Sequence, residues 1–455
     1  MIDFALKKMT LDNYRCFKHI EIDFHPEMTV LVGENGGGKT ALLDAVAVAL
    51  GPFVSGLSEG KGVHFKVSDI YQRLLRVGGK QVININVPLK QKINGIFSDD
   101  EVTWERELRG KKSRTTIGKA RPLIHLAKQL EQNVMNENNV VLPLISYYGT
   151  GRLWRSIKFT EAKSQASKNT SPISGYIDCL DPASSYNAAA DWMRYAHLVN
   201  VETNMDNPDN GQAPYEVDLK AIDSAVNCCT EHTGWKGIRY SVQYKELTMV
   251  HESHGRLPVS YLSDGIRNVV GVALDIAYRA VKLNHWLGKD AISRTPGIVM
   301  IDEVDMHLHP SWQQEILPAL SKAFPKIQFI VSTHSPQVLT TVKPECIRIL
   351  KLKTGEYSGK NIYEAYAPQF SLGAESKYVL EDIQFVQSRP QKIDVVANLN
   401  KYLELVNQNK WDSGEAVKLR DSLDAWGKSF EPKLTAVDVD IRMREYRRQQ
   451  ANSKK

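Results

Sequence analysis

The chain has 455 residues, 42% hydrophobic and 24% charged, which excludes general disorder, collagen and disulfide-scaffold classes and accommodates roughly two or three domain-sized units. No run approaches ~18 apolar residues without a charge, so no membrane span is expected, and the opening MIDFALKKMTLDNYRCF has neither the apolar core nor the cleavage site of a signal peptide. Five scattered cysteines (Cys16, Cys179, Cys228, Cys229, Cys346) without metal-ligand spacing read as reduced thiols of a cytoplasmic protein. The net charge is +6, but the last fifteen residues hold six Lys/Arg (Arg442, Arg444, Arg447, Arg448, Lys454, Lys455) against Glu445 alone. The body is therefore nearly balanced. The basic tail is either a contact for phosphates or a partner, or a solvated helix end.

The first predicted elements are strands: ALKKMTLDNY, HIEIDF and MTVLVG. The third runs through GENGGGKT into the helical ALLDAVAVAL. VININVPLK and EVTWEREL read as an antiparallel pair, 121–137 as a helix and VVLPLISYYG as a buried strand. The stretch 155–186 is polar and loop-like. Helices at 188–200 and 219–229 precede the strands IRYSVQY and ELTMVH, after which YLSDG opens the long helix IRNVVGVALDIAYRAV. GIVMIDE is a buried strand, a helix begins at Pro310, and IQFIVST is another buried strand ending at His334. Apolar strands alternating with helices predict a mostly parallel α/β sheet. Beyond about residue 371 the pattern is helical, with Tyr378, Val379, Ile383 and Val386, then Leu403 and Val406, at helical spacing. Such faces are expected to pack on the body or on another chain.

Four motifs carry chemistry. Gly33-Glu34-Asn35-Gly36-Gly37-Gly38-Lys39-Thr40 is a GxxxxGK[ST] phosphate loop. Glycines let backbone N–H groups converge on phosphate oxygens, Lys39 adds a point charge, and the Thr40 hydroxyl is a Mg²⁺ ligand. The apolar strand Ile298–Ile301 delivers Asp302 and Glu303 at its C-terminal edge; Asp302 would hold Mg²⁺, and Glu303 would orient or deprotonate the attacking water. Ser263-Asp264-Gly265 stands just before a helix, as either an anion site or a plain cap. Ser332-Thr333-His334-Ser335-Pro336 follows a strand, placing His334 near the carboxylate pair, while Ser335-Pro336 fits a helix start.

In this order the motifs resemble those of the ABC-type ATPase domain, in its RecF/SMC-like and overcoming-lysogenization-defect-like branch, over about residues 6–350. The stretch Asn13-Tyr14-Arg15-Cys16-Phe17 is similar to that branch's N-terminal element. The resemblance implies that Arg15 approaches the phosphates, and that Asn35, Gly36, Gly37, Gly38, Lys39 and Thr40 bind ATP, with Thr40 and Asp302 on Mg²⁺. It also implies that Ser263 and Gly265 complete the ATP site of another subunit, that Asp305 lies in the D-loop and that His334 is the switch histidine acting with Glu303. His307 and His309 fit the family's LHP turn before Pro310 better than a metal pair. Two departures stand out: Asp264 occupies a position where transporters carry Gly, and no glutamine marks a Q-loop. Tyr147-Tyr148-Gly149-Thr150-Gly151-Arg152 is where that loop is expected, with Arg152 a phosphate candidate.

The expected fold is a RecF/SMC-like P-loop ATPase head over 1–370, with a mostly parallel sheet, an antiparallel β subdomain and an inserted mixed region at about 55–250, followed by a helical region at 371–455. No sustained heptads lie between Thr40 and Leu262, which excludes a long coiled coil. Asp438-Val439-Asp440 lacks the sheet context of the nuclease domain carried by lysogenization-defect proteins. The length and motif spellings look like the ATPase subunit of Septu antiphage systems, PtuA. That resemblance implies a head-to-tail dimer around ATP, a higher oligomer, and a separate HNH nuclease subunit (PtuB-like), with DNA reached through the partner or the basic tail. A RecF-like repair ATPase without a nuclease partner is the alternative, and a lysogenization-defect-type nuclease the lesser one.

Overall fold

The computed structural model describes residues 4–77, 80–97, 100–151, 171–183, 186–206, 213–354, 361–428 and 430–452. The chain begins with an antiparallel hairpin of β1 (Phe4–Tyr14) and β2 (Phe17–Asp23), followed by β3 (Met28–Gly33). Helix α1 (Lys39–Ser55) follows directly from the glycine loop. Next come β4 (Gln72–Val77), β5 (Lys80–Ile85), β6 (Leu89–Phe97) and β7 (Asp100–Leu108), then α2 (Arg121–Met135) and β8 (Leu144–Tyr148). Helices α3 (Asn187–Asp206) and α4 (Glu216–Thr230) lead into the antiparallel strands β9 (Trp235–Ser241), β10 (Glu246–His251) and β11 (Gly255–Pro258). Helix α5 (Asp264–Leu283) precedes β12 (Gly297–Ile301), β13 (Ile327–Ser332), β14 (Ile347–Thr354) and β15 (Asn361–Tyr366).

The central sheet has the order β15-β14-β3-β13-β12-β8, parallel except for β15. β8, β12 and β13 are buried at every position, as parallel strands covered on both faces must be. Strands β2-β1-β6-β7 form a separate antiparallel sheet in which β6 alternates buried and exposed side chains, so one face only meets the core. Helix α1 is apolar all round, and Leu42, Leu43, Val46, Leu50 and Phe53 are fully enclosed, as a helix held between layers requires. Buried side chains of the antiparallel sheet donate to its carbonyls: Gln91 Nε2 to Ala45 O (2.7 Å), Trp104 Nε1 to Ala49 O (3.0 Å) and Arg106 Nη1 to Val48 O (2.7 Å). Gln328 of β13 joins the two sheets, accepting from Leu6 N and donating to Leu6 O, each at 2.8 Å.

Three local expectations change. VINI belongs to β5, whose partner is β4, whereas EVTWEREL pairs with β6; the alternation continues past Pro88, and β6 is the strand that a short-link reading overlooks. The stretch read as an insertion contributes β8 to the central sheet. The helix expected from Pro310 is a single turn, Pro310–Gln313, before a second helix, Ile316–Ala323.

The chain divides into two compact units, Met1–Val379 and Leu380–Lys455. Within the second, the helices Asp394–Asn407, Gly414–Gly427 and Pro432–Asn452 share a core of Leu399, Tyr402, Val406, Ala416, Leu423 and Leu434. Their apolar faces meet one another, so burial against the body or a second chain is not needed to account for them. Arg420 grips both carboxylate oxygens of Asp438, tying the middle helix to the last. Arg444 pairs with Asp440, and Arg448 lies over the Trp411 ring at 4.4 Å, while Lys454 and Lys455 lie outside the described residues. Among the described residues no helix is long and apolar enough to cross a membrane.

Candidate nucleotide-binding site

The C-terminal ends of β3, β12 and β13 lie side by side in the sheet, and each releases one motif at the same edge. At the end of β3 the loop turns through Gly36 (φ +78°) and Gly38 (φ +92°), a left-handed region closed to most side chains. Gly38 has a second constraint: a Cβ there would stand 2.1 Å from Phe17 Cζ and 2.9 Å from Cys16 Sγ. The Tyr14–Phe17 turn is therefore packed against the loop, and Phe17 is itself buried edge-on against Tyr363.

Lys39 is only 7% exposed and folds back on the loop, donating to Gly33 O (2.9 Å) and Glu34 O (3.1 Å). Burial lowers its pKa, against the opposing pull of Asp302, Glu303 and Asp305. Thr40 Oγ1 donates to Asp302 Oδ2 at 2.8 Å, and Ser332 Oγ donates to Asp302 Oδ1. The Asp302 amide is held by Tyr148 O at 2.8 Å. Glu303 has a positive φ of 48° and its amide donates to Ser332 Oγ at 2.8 Å, so the backbone strain that aims this carboxylate is held in place by the neighbouring strand. Thr333 Oγ1 donates to Asp305 Oδ1 at 2.5 Å, and His334 follows, exposed. The His334 pKa is lowered, first by desolvation and then by Lys39, against Asp305, Glu303 and Asp302. The imidazole is thus neutral near pH 7, with one N–H to donate.

Ser263 is the N-cap residue of α5 by position, yet its hydroxyl caps nothing and is exposed. The plain-cap reading of this serine is not what the structure contains. Asp264 is instead turned onto Arg267 in an ion pair, which neutralises the carboxylate that departs from the transporter pattern. Gly265 has a reason within its own chain, since a Cβ there would meet His307 O at 2.5 Å. Next to it, Asn268 Nδ2 donates to Met306 O at 3.2 Å. His309 caps the short helix at Pro310 by accepting from Ser311 N.

The phosphate loop, Asp302, Glu303 and His334 thus converge. Arg15 does not share their hydrogen-bond network: its guanidinium is held by Asp44 (2.6 Å) and Asp69 (2.9 Å) and lines a cavity of about 500 Å³ with Tyr14, Lys66 and Tyr147, to which no residue of the loop contributes. Arg152 lies outside the described residues. Sequence reasoning assigned no role to Ser332 or Tyr148; Ser332 lay inside a recognised motif, but nothing in its spelling says that it supports two neighbouring residues of β12's exit.

The donor set suits a nucleoside triphosphate: a glycine loop opening a helix N-terminus, one buried ammonium, and a hydroxyl–carboxylate pair that is the oxygen-only donor type a Mg²⁺ ion takes. Two family models match the chain in tandem, "AAA domain" over residues 8–198 and "AAA domain, putative AbiEii toxin, Type IV TA system" over 204–340. The chain is an ATPase with AAA domains. Relatives of this ATPase include the "Retron Ec83 probable ATPase" of Escherichia coli, 28% identical, with 95% of this chain and 86% of that protein covered. The "Septu protein PtuA" of Bacillus mycoides (strain KBAB4) is 51% identical over a segment that covers 16% of the ATPase and 10% of that protein. Among solved structures, the "SMC head domain from Thermotoga maritima" aligns at 15% identity with a TM-score of 0.42, covering 80% of this chain and 99% of that one.

Proposed function

We propose that this ATPase binds ATP between two copies of itself and uses nucleotide occupancy to control a separate HNH nuclease subunit in antiphage defence. The observation that carries the shared site is the pairing of a complete phosphate loop in one chain with an exposed Ser263 hydroxyl, making no cap hydrogen bond among the described residues, on a helix N-terminus braced by His307 O and Met306 O. Asn35–Thr40 would bind the triphosphate, Thr40 and Asp302 would hold Mg²⁺, and the metal would supply charge neutralisation at the phosphates. Lys39 exchanges two backbone carbonyls for phosphate oxygens as it binds. Glu303, fixed by Ser332, orients the attacking water and accepts its proton. His334 donates its N–H toward the terminal phosphate. Ser263 and Gly265 of the second copy close the site, so that hydrolysis loosens the pair and subunit geometry reads out the nucleotide state. The defence role rests on likeness to proteins named for retron and Septu systems.

Complementation tests the shared site. Ser263→Arg leaves a chain that supplies only a phosphate loop, and Lys39→Ala one that supplies only Ser263. Each alone should be inactive, and their mixture should regain turnover; continued inactivity refutes the sharing. Co-purification with an HNH protein encoded beside this chain tests the partner. Stable binding to duplex DNA without any nuclease subunit would favour the RecF-like reading instead.

A further inference from the structure

Helix α5 carries Ser263 at its start, and one of its faces carries Gly265, Asn268, Asp275 and Arg279 at helical spacing. The first two rest on the turn that follows Asp302 and Glu303. The other two reach a different strand. Asp275 (1% exposed) accepts at Oδ2 from Tyr148 Oη and from Arg279 Nε, each at 2.7 Å, while Arg279 (3% exposed) donates from Nη1 to Gly175 O at 2.7 Å and Ile177 O at 3.0 Å. Tyr148 closes β8, faces Ile301 of β12 in register, and holds the Asp302 amide with its carbonyl. Asp275 Oδ1 is buried with no hydrogen-bond partner among the described residues.

A buried ion pair is a poor way to glue a helix down, since apolar packing does that at lower cost. What it supplies is direction. Tyr148 can reach Asp275 in one rotation and tilt of α5, and Ser263 stands about 18 Å along the helix from that anchor, at ~1.5 Å per residue. A small change of angle at Asp275 is therefore magnified where the helix meets a second subunit.

We propose that Asp275 is a positioning residue: clamped by Tyr148 and Arg279, it sets the angle at which α5 presents Ser263 to the neighbouring subunit's phosphate loop, and ties that angle to the strand edge that holds Asp302. The clamp acts on the site the chain completes in its neighbour, not on the site it builds for itself. This rests on the shared-site reading above.

The experiment places Tyr148→Phe in one or the other half of the complementing mixture. When Tyr148→Phe is in the Lys39→Ala chain, the loosened helix is the one in use, and turnover should fall at least fivefold further than when Tyr148→Phe is in the Ser263→Arg chain, whose α5 is idle. A general loss of stability would affect both placements alike, and thermal midpoints of the single chains monitor it. Asp275→Asn, which keeps the shape and removes the charge, should give the same asymmetry. Equal effects in the two placements, or none in either, overturn the clamp. An unmodified mixture that fails to turn over overturns the shared site, and the clamp with it.

Discussion

The Thr40 hydroxyl and the Asp302 carboxylate, 262 positions apart in sequence, meet at 2.8 Å. That bond sets the phosphate-loop helix against the exit of β12. The other Asp302 oxygen belongs to Ser332, which in turn accepts from the Glu303 amide.

Ser332→Ala should therefore disturb both carboxylates at once. It removes one hydrogen-bond partner from a buried carboxylate oxygen and one from a backbone N–H, at a cost of about 1–3 kcal/mol in stability. Glu303 sits at positive φ and relies on this serine, so hydrolysis should fall at least tenfold while nucleotide affinity changes by about threefold or less. Thermal unfolding, calorimetry and steady-state turnover read the three effects. Unchanged turnover with lowered stability would make Ser332 a structural residue alone.

Lys39→Ala removes the buried ammonium that faces the loop carbonyls. Charge-assisted hydrogen bonds are worth roughly 1.5–3 kcal/mol each, so affinity for ATP should drop on the order of 10- to 100-fold in a titration calorimeter. Glu303→Gln keeps the shape and loses the base. It should retain nucleotide affinity and abolish turnover; hydrolysis at the wild-type rate would remove Glu303 from the role of base.

These residues were legible in the sequence because each motif is short, local and tied to a strand end. Gly33–Thr40 sits between a buried strand and a helix, and Asp302-Glu303 and His334 each end an apolar run, so the chemistry can be placed without knowing the topology. The supports were not legible. Ser332 bridges two strands, Tyr148 acts through its carbonyl and its phenol on different elements, and Arg15 is captured by Asp44 and Asp69; such partners are set by strand order, which no local pattern encodes. The same holds for β6, which starts at Leu89, while β5 ends at Ile85, within a stretch that reads as one strand. The C-terminal helices showed their apolar faces in the sequence, but periodicity does not reveal what a face will meet, and here the faces meet one another.

His334 offers a pH signature. Desolvation and the nearby Lys39 charge hold its pKa below the ordinary 6.5, against three carboxylates. Removing the positive charge relieves one of the two lowering influences, so Lys39→Ala should move the His334 titration upward, toward or above its ordinary value. Imidazole resonances followed by NMR between pH 5 and 8 (a window spanning ~6.5) would measure it. A downward shift, or none, would mean that the two side chains do not share one electrostatic environment.

The last prediction concerns Leu380–Lys455. Its helices enclose Leu399, Tyr402, Val406, Leu423 and Leu434, with Trp411, Leu419 and Ile441 packed at the margin, and Arg389 grips Glu431 through two bonds of 2.9 and 2.7 Å. A core this small supplies only about 3–5 kcal/mol, and Leu→Ala at a fully buried site costs roughly 2–5 kcal/mol. Leu399→Ala should therefore melt this unit alone, visible as an early helical transition in circular dichroism, while ATP affinity stays within about threefold of wild type. A chain ending at Val379 should likewise bind ATP, because every residue of the phosphate loop, the Asp302 edge and the His334 turn lies before that point, and the second unit carries its own core. On the function proposed above, what such a chain should lose is binding to a nuclease subunit or to further copies of itself, read by light scattering after size-exclusion chromatography with and without a co-expressed HNH protein. Aggregation of the shortened chain, or loss of nucleotide binding in it, would show instead that the helices complete the ATPase fold.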